Sequence, residues 1–201
     1  MAPPLEFYFD FASPYGYLAS LQIDAIAAKH GRTVSWHPFM LGAAFKATGQ
    51  SPLPDQPMRG PYHIRDFARS ARRFGAPFRM PSPFPFVALA PSRAFYWLLE
   101  ERDPAAAKRY AAAVYGRVFG EGRPVGDPAA AAEVGAAIGI DPAELTGAIQ
   151  GTAIKERLRR ETDQAVARGV FGSPFIFVDG EPFWGHDRLP QIEEWLARGG
   201  W

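Results

Sequence analysis

Residues 5–14 read LEFYFDFASP, and this stretch decides the fold. Apolar residues fall at every second position from Leu5 to Phe11, which is the period of a β-strand, and their aromatic side chains favour a strand. Ser13-Pro14 then supplies a hydroxyl that can cap a helix and a proline at its first position, where a backbone N–H is not needed. The stretch therefore predicts a strand that passes directly into a helix.

A second strand follows this helix. Apolar residues recur at three- and four-residue spacing along one helix face, which we expect to point inward: Leu18, Leu21, Ala25 and Ala28. Gly31 ends the helix, and residues 33–37 (TVSWH) form the strand, which Pro38 closes. In a compact α/β domain, the order strand, helix, strand predicts a right-handed crossover between parallel strands.

The carboxyl-terminal part of the chain predicts a β-hairpin. Residues 175–178 (FIFV) and 181–184 (EPFW) are short apolar runs joined by Asp179-Gly180, a strong signal for a tight turn between antiparallel strands. Pro182 has no backbone N–H to donate to a neighbouring strand, so we place the second hairpin strand at a sheet edge.

Helices account for the remaining predicted elements. Residues 41–151 show no convincing strand, and six segments of the chain have helical composition: 61–74, 91–101, 104–119, 128–139, 141–150 and 152–168. Three of them begin with an aspartate that can cap the helix, followed by a proline: Asp103-Pro104, Asp127-Pro128 and Asp141-Pro142. A last helix runs from Asp187, as its N-cap, to about Ala197.

The overall charge of the chain is close to zero. Its 201 residues carry 22 basic and 21 acidic side chains, a net charge of +1, which disfavours nucleic acid or an anionic membrane as a partner. No segment contains the roughly 18 consecutive apolar residues that span a bilayer. The first residues lack the basic-then-apolar pattern of a signal peptide, so we expect a cytoplasmic protein.

The chain contains no cysteine, which excludes disulfide bonds, thiolate metal sites, a cysteine nucleophile and dithiol redox chemistry. His30, His37 and His63 do not have the spacing of metal ligands, so we predict no metal site. Any thiol chemistry at this protein must therefore use a sulfur atom that another molecule brings in.

Three short motifs carry a resemblance to a known family. They are residues 9–15 (FDFASPY), residues 169–175 (GVFGSPF) and residues 184–189 (WGHDRL), in this order. With these motifs the chain resembles the 2-hydroxychromene-2-carboxylate isomerases over essentially its full length. That family is related to kappa-class glutathione transferases and, more distantly, to bacterial DsbA-type disulfide oxidoreductases.

The order of the predicted elements agrees with that resemblance. A β-α-β start, a helical block and a β-β-α finish make up the topology of a thioredoxin-like domain with a helical insertion. We therefore expect an α/β protein with a thioredoxin-like fold and a large all-helical insertion, of the DsbA and kappa-class glutathione transferase type. Residues 1–40 and 152–201 would form the thioredoxin-like domain, and residues 41–151 would form the insertion.

Ser13 stands where redox-active thioredoxin folds have a cysteine, at the N-terminus of the first helix, a position that favours a thiolate. A serine cannot exchange disulfides, but its hydroxyl can donate a hydrogen bond to an anionic sulfur atom. The resemblance implies that glutathione is the cofactor that supplies this sulfur, with Ser13 as the catalytic and glutathione-binding residue. The alternative is that Ser13 only caps its helix.

The resemblance implies a second glutathione contact at Ser173-Pro174. In thioredoxin-like folds this proline is cis and faces the N-terminus of the first helix. The main chain of the preceding residue, Ser173, is then free to pair with the cysteinyl part of glutathione. The alternative is a trans proline at the start of a strand, where its missing N–H is tolerated.

The remaining glutathione contacts are also implied by the resemblance. Residues 185–188 (GHDR) are similar to the segment that holds the γ-glutamyl end of glutathione in kappa-class relatives. Asp187 would bind the ammonium group, and His186 is a further candidate. The alternative is that Asp187 only caps its helix, and the two roles can coexist. Arg59 occupies the place where related transferases have a lysine that contacts glutathione.

Four more arginines follow on the same predicted helix: Arg65, Arg69, Arg72 and Arg73. Three of them can share one face, and such a basic stripe would suit a substrate that bears a carboxylate. The alternative is an ordinary solvated helix face. Residues 81–86 (PSPFPF) are expected to wall the substrate pocket, and Val87 follows where many relatives carry a polar residue.

The resemblance implies a glutathione-dependent isomerase. Its thiolate would add reversibly to a conjugated alkene of an aromatic pyruvate-type substrate, a small molecule, and glutathione would not be consumed. It also implies a homodimer. Two other functions stay open: a kappa-like transferase or peroxidase, which consumes glutathione, and a thioredoxin-like module that only binds it.

Overall fold

Four strands form one mixed sheet: β1 (Leu5–Phe9), β2 (Val34–Pro38), β3 (Phe175–Val178) and β4 (Glu181–Trp184). The computed structural model, which describes residues 2–201, orders them β2-β1-β3-β4. The predicted parallel pairing of β1 with β2 is confirmed, and so is the antiparallel hairpin of β3 and β4. β1 also pairs with β3, in antiparallel direction, and Pro182 lies in an edge strand as predicted.

Ten α-helices surround the sheet among the residues described. They are α1 (Pro14–Ser20), α2 (Ile23–Lys29), α3 (Leu41–Thr48), α4 (Arg59–Arg73), α5 (Leu89–Glu101), α6 (Pro104–Tyr115), α7 (Pro128–Ala137), α8 (Pro142–Gln150), α9 (Thr152–Ala167) and α10 (Leu189–Arg198). Short 3-10 helices span Leu53–Asp55 and His186–Arg188, and a π-helix spans Gly116–Gly120. The six predicted helical segments are confirmed within a few residues, whereas α3 lies outside them. None of the helices in the described part of the chain is long and apolar enough to cross a membrane.

The helix after β1 is broken, so the prediction of one continuous helix is wrong. α1 ends at Ser20 and α2 begins at Ile23, and Leu21, expected on the inner face, is 50% exposed. The two pieces have different partners, because α1 contacts α4 and the 186–188 turn while α2 contacts α10 and β2. The break lets each piece turn its own apolar residues inward, including Ile26 and Ala27 of α2.

The larger of two hydrophobic clusters joins the sheet to the helical segment. Phe9 of β1 is fully buried, and its ring lies 5.8 Å from the ring of Phe95 in α5 and 5.9 Å from that of Tyr115 in α6, centroid to centroid. Burying an aromatic side chain of this size contributes roughly 1.5–3 kcal/mol, so the sheet and the helices stabilise each other. The division into a domain of residues 1–40 and 152–201 and an insertion of residues 41–151 stays a prediction.

Three of the four predicted aspartate caps are present, in addition to the Ser13 cap of α1. The carboxylates of three aspartates each accept a backbone N–H of the first helical turn: Asp103, Asp127 and Asp141. The cap role expected for Asp187 is wrong, because α10 begins at Leu189 after an Arg188 whose side chain makes no cap hydrogen bond. Asp187 lies instead in the 3-10 turn that precedes the helix.

We expect Gly60→Ala to destabilise the protein, although alanine is normally favoured over glycine inside a helix by about 1 kcal/mol. A Cβ atom at Gly60 would lie 2.2 Å from the backbone oxygen of Pro54, so α4 would have to move away from the Leu53–Asp55 helix. The expected loss in the free energy of unfolding is about 1–3 kcal/mol, measured by urea denaturation.

Gly42→Ala is the matched control for this substitution. Gly42 lies in α3, and a Cβ atom there would meet nothing within 4 Å. The control should leave the protein as stable as the wild type or slightly more stable. An unchanged denaturation midpoint for Gly60→Ala would contradict the close packing of α4 described above.

Candidate active site

A cavity of about 1160 Å³ lies where both ends of the chain meet the helical segment. Its walls come from the N-terminus of α1, from α3 and α4, from residues 84–87, from the loop before β3 and from the 185–188 turn. The expected wall at residues 81–86 is thus confirmed for Phe84, Pro85 and Phe86. A cavity of this size lies at the upper end of the usual range for small-molecule sites, roughly 300–1,000 Å³.

Ser13 caps α1 and is buried in the cavity wall. Its side-chain oxygen accepts the N–H of Gly16 at 3.0 Å and donates its own hydrogen to the carbonyl oxygen of Ser173 at 2.9 Å. Gly16 has no room for a side chain, because a Cβ atom there would lie 2.9 Å from the Ser173 hydroxyl oxygen. The cap is therefore also a direct link between the first helix and the loop before β3.

The Ser173–Pro174 peptide bond is cis, so the trans alternative is wrong. Ser173 lines the cavity, whereas Pro174 lies behind it and its carbonyl oxygen accepts the N–H of Gly185 at 3.1 Å. The predicted cis bond is therefore present, but the carbonyl oxygen of Ser173 is not free, because it accepts the Ser13 hydroxyl. The pairing of the Ser173 main chain with glutathione stays a prediction.

The 185–188 turn places two predicted residues at the cavity. Gly185 has φ = 111°, and a Cβ atom there would lie 2.4 Å from a carboxylate oxygen of Asp187, so only glycine fits. The ring of His186 stacks on that of Tyr15 at 4.7 Å, with an interplanar angle of 8°. Burial lowers the pKa of His186, and the Asp187 carboxylate is paired with Arg188 at 3.0 Å.

The arginines of α4 divide into two groups. Arg59, Arg69 and Arg73 line the cavity, whereas Arg65 and Arg72 are exposed elsewhere, so the single basic stripe is only partly directed at the site. Arg69 is paired with Asp66. Arg59 and Arg73 form no ion pair with any residue the structure describes, so two guanidinium groups remain available to anionic ligands at the cavity wall.

Sequence reasoning missed a polar cluster between α1 and α4. The hydroxyl of Tyr15 donates to Asp66 at 2.5 Å and lies 3.4 Å from Nδ1 of His63, and all three residues line the cavity. Burial and the bond to Asp66 raise the pKa of Tyr15. Although burial opposes it, hydrogen bonds from Tyr15 and Arg69 keep the pKa of Asp66 below its usual value. The spacing of His63 and Asp66 on one helix was the available signal, but only the fold brings them to Tyr15.

Asp10 was also missed, although it lies within the first motif. It lines the cavity, is only 4% exposed, and accepts backbone N–H groups at both carboxylate oxygens, from Ala12 at 2.8 Å and from Leu41 at 2.9 Å. Burial raises the pKa of Asp10 to about 6, although these two hydrogen bonds oppose the change. A buried carboxyl group at a cavity wall is a typical feature of functional sites.

The backbone of Asp10 is equally constrained. Its carbonyl oxygen accepts the N–H of Ser13 at 2.9 Å and the hydroxyl of Tyr115, from α6, at 3.1 Å. Its own N–H donates to the hydroxyl oxygen of Ser173 at 3.0 Å. Asp10 thus ties together β1, α1, α3, α6 and the loop before β3 directly beneath Ser13.

The described residues contain no group of three or more His, Asp or Glu side chains suited to hold a metal ion.

Comparisons with known proteins show which family the chain is similar to. A family model described as a DSBA-like thioredoxin domain matches residues 4–197. The chain is 30% identical to a 2-hydroxychromene-2-carboxylate isomerase of Sphingobium xenophagum, over 98% of this chain and 99% of that protein. It is 28% identical to glutathione S-transferase kappa 2 of Caenorhabditis elegans, over 96% and 91%.

A solved structure is similar as well. The structure of a 2-hydroxychromene-2-carboxylate isomerase matches with a TM-score of 0.86 and 30% sequence identity, over 96% of this chain and 94% of that one. The similarity thus extends over both the sheet and the helical segment.

We expect the buried carboxyl of Asp10 to make folding less favourable as the pH rises. Because burial raises its pKa from 3.8 to about 6, the folded protein holds this proton more tightly than the unfolded chain does. The resulting stabilisation is present below about pH 4 and is lost as the pH rises through about 6, an amount of about 3 kcal/mol.

The test compares the free energy of unfolding of the wild type and of Asp10→Asn by urea denaturation across this range. Between about pH 4 and 7.5 the wild type should lose about 3 kcal/mol more than Asp10→Asn, because the variant has no carboxyl group to ionise. Asp163→Asn, exposed on α9, should follow the wild-type curve. Parallel curves for the wild type and Asp10→Asn would refute the assignment.

Proposed function

The chain belongs to the DSBA-like thioredoxin domain family and, within it, to the 2-hydroxychromene-2-carboxylate isomerases, and from this membership we propose that it is a glutathione-dependent isomerase. One observation carries the proposal. The buried hydroxyl of Ser13 lies in the wall of a large cavity, beside the main chain before a cis proline, in a chain that has no thiol of its own. Such a site suits a thiol that another molecule supplies.

The hydrogen bonds around Ser13 fit the cysteinyl part of glutathione. In the structure, the Ser13 hydroxyl donates to the carbonyl oxygen of Ser173. If the hydroxyl turns to a thiolate, the Ser173 carbonyl needs another donor, and a peptide N–H of glutathione can replace it. The exchange leaves no buried polar group without a partner, which is the condition for low cost.

The charges around the cavity fit the two ends of glutathione. The tripeptide carries two carboxylates and one ammonium group, and the cavity offers the unpaired guanidinium groups of Arg59 and Arg73 and the carboxylate of Asp187. We assign Arg59 to a carboxylate and Asp187 to the ammonium group, with His186 as the neighbouring wall. Ser173 contributes through its main chain, and Pro174 holds that main chain in place.

Bound glutathione would supply the thiolate that adds to the conjugated alkene of an aromatic pyruvate-type substrate and is later expelled, so that the former double bond can rotate in between. The protein's part is orientation and electrostatics. Ser13 stabilises the negative charge on sulfur, and Arg73 can hold a substrate carboxylate. The rings of Phe84, Phe86 and Trp184 offer apolar surface to an aromatic ring and exclude water from the reacting atoms.

A kappa-like glutathione transferase is a second candidate function. The relative from Caenorhabditis elegans favours it, because its identity to this chain is close to that of the isomerase. The two activities differ in stoichiometry: a transferase or peroxidase consumes one or two thiols for each product molecule, whereas an isomerase returns the thiol after every turnover.

We also propose that the protein acts in the cytoplasm as a homodimer on a small molecule and binds no nucleic acid. The near-zero net charge supports the last point. Sedimentation equilibrium should give twice the mass of one chain, and a single-chain mass at the concentrations used for activity would exclude the dimer.

We expect Ser13→Ala to raise the pKa of the bound glutathione thiol by about one to two, because it removes a hydrogen bond to a charged group worth roughly 1.5–3 kcal/mol. The measurement is the ultraviolet absorbance of the thiolate on addition of glutathione, followed across the pH range near neutrality. Asp103→Ala is the matched control, because Asp103 caps α6 through the N–H of Ala106 at 2.7 Å and is likewise followed by proline. The control should lose about 1 kcal/mol of stability and keep the wild-type thiolate. Equal thiolate absorbance in Ser13→Ala and the wild type would contradict the proposal.

We further expect total thiol to stay constant while an aromatic pyruvate with a conjugated alkene is isomerised over many turnovers. Thiol titration of the mixture against product formed is the measurement, and the absence of cysteine means that the protein adds no thiol to it. Thiol loss in proportion to product would establish the transferase instead. If the protein binds glutathione but catalyses neither isomerisation nor glutathione transfer, the remaining function is that of a thioredoxin-like module that only binds glutathione.

A further inference from the structure

Asp10 is a buried acid without a cationic partner. None of the ion pairs among the described residues includes it, and its carboxylate oxygens accept only the two backbone N–H groups of Ala12 and Leu41. Among the ionisable side chains of the elements packed against it, Tyr115 of α6 reaches its carbonyl oxygen, Tyr15 of α1 donates to Asp66, and Lys46 of α3 is exposed. No positive charge therefore compensates the negative charge of Asp10.

We propose that the carboxylate of Asp10 takes up the proton that the glutathione thiol gives up when it is bound as a thiolate at Ser13. This inference rests on the proposed function. The proton leaves sulfur and forms an O–H bond at Asp10, so the site still carries one negative charge, which has moved from the carboxylate to the sulfur. Asp10 is then the charge-balancing residue of the site.

Electrostatics favours this exchange over simple loss of the proton to solvent. Two like charges within about 6 Å in a partly buried site change each other's proton affinity by roughly a hundredfold. Asp10 lines the same cavity as Ser13 and is joined to it by backbone, so a thiolate at Ser13 and a carboxylate at Asp10 would repel each other. Protonation of Asp10 removes this repulsion.

Near neutral pH, the thiol still carries the proton to be transferred and the Asp10 carboxylate is free to accept it. An ordinary thiol with a pKa of about 8.5 is almost fully protonated near pH 7. Burial raises the pKa of Asp10 to about 6, so that this carboxyl is about nine-tenths ionised at the same pH and can accept a proton. A protonated carboxyl keeps acceptor capacity on its oxygens, so the hydrogen bonds from Ala12 and Leu41 can persist.

The test is a proton count for glutathione binding to the wild-type protein. Calorimetric titrations near pH 7, in two buffers of different ionisation enthalpy, give the protons released per glutathione bound, and ultraviolet absorbance gives the thiolate formed. We expect thiolate with close to no net proton release. Release of about one proton for each thiolate formed would overturn the inference and leave the proposed function intact. Absence of binding, or binding without thiolate, would instead overturn the proposed function.

A variant supplies the second measurement. In Asp10→Asn the acceptor is gone, so each thiolate formed should release about one proton to the buffer, while Asp163→Asn should match the wild type. A proton count close to zero together with full thiolate formation in Asp10→Asn would overturn the inference. If Asp10→Asn does not fold, infrared spectra of the wild type decide the question, because the protonated carboxyl band should grow when glutathione is added and should stay constant if Asp10 plays no part.

Discussion

The hydrogen bond from the Ser13 hydroxyl to the Ser173 carbonyl joins residues 160 positions apart, and the rest of the site depends on it. It closes the side of the cavity next to the two central strands, because α1 follows β1 and the cis proline leads into β3. The 185–188 turn is fixed to the same loop through the bond from Gly185 to Pro174. These two polar contacts thus join three of the segments that bound the cavity.

Asp10, next to this contact, is hydrogen-bonded on all sides but has no cationic partner. Asp10 accepts four hydrogen bonds and donates one, and these bonds stabilise the turn into α1, yet the carboxylate itself is buried without a counter-charge. Burial of an uncompensated charge costs free energy, and proteins tolerate that cost mainly at functional sites. The same residue therefore both organises the backbone around Ser13 and leaves the site with an ionisation that a bound anion can change.

Short-range signals predicted much of this architecture. The Ser13-Pro14 cap and the Asp179-Gly180 hairpin depend on neighbours in sequence, and both are present in the structure. The break between α1 and α2 was not predictable, because it follows from the different partners of the two helices. The link from Tyr15 to Asp66 and the burial of Asp10 were missed for a similar reason: each depends on contacts between elements distant in sequence.

The position of β1 in the middle of the sheet affects how the protein folds while it is being synthesised on the ribosome. β2 can cover one side of β1 early, but β3, which covers the other, is among the last segments synthesised. At translation rates of about 5–20 residues per second, the intervening chain takes roughly 7–30 s to emerge. Throughout that interval the growing polypeptide presents an open strand rich in phenylalanine, the kind of surface on which nascent chains self-associate and which chaperones cover.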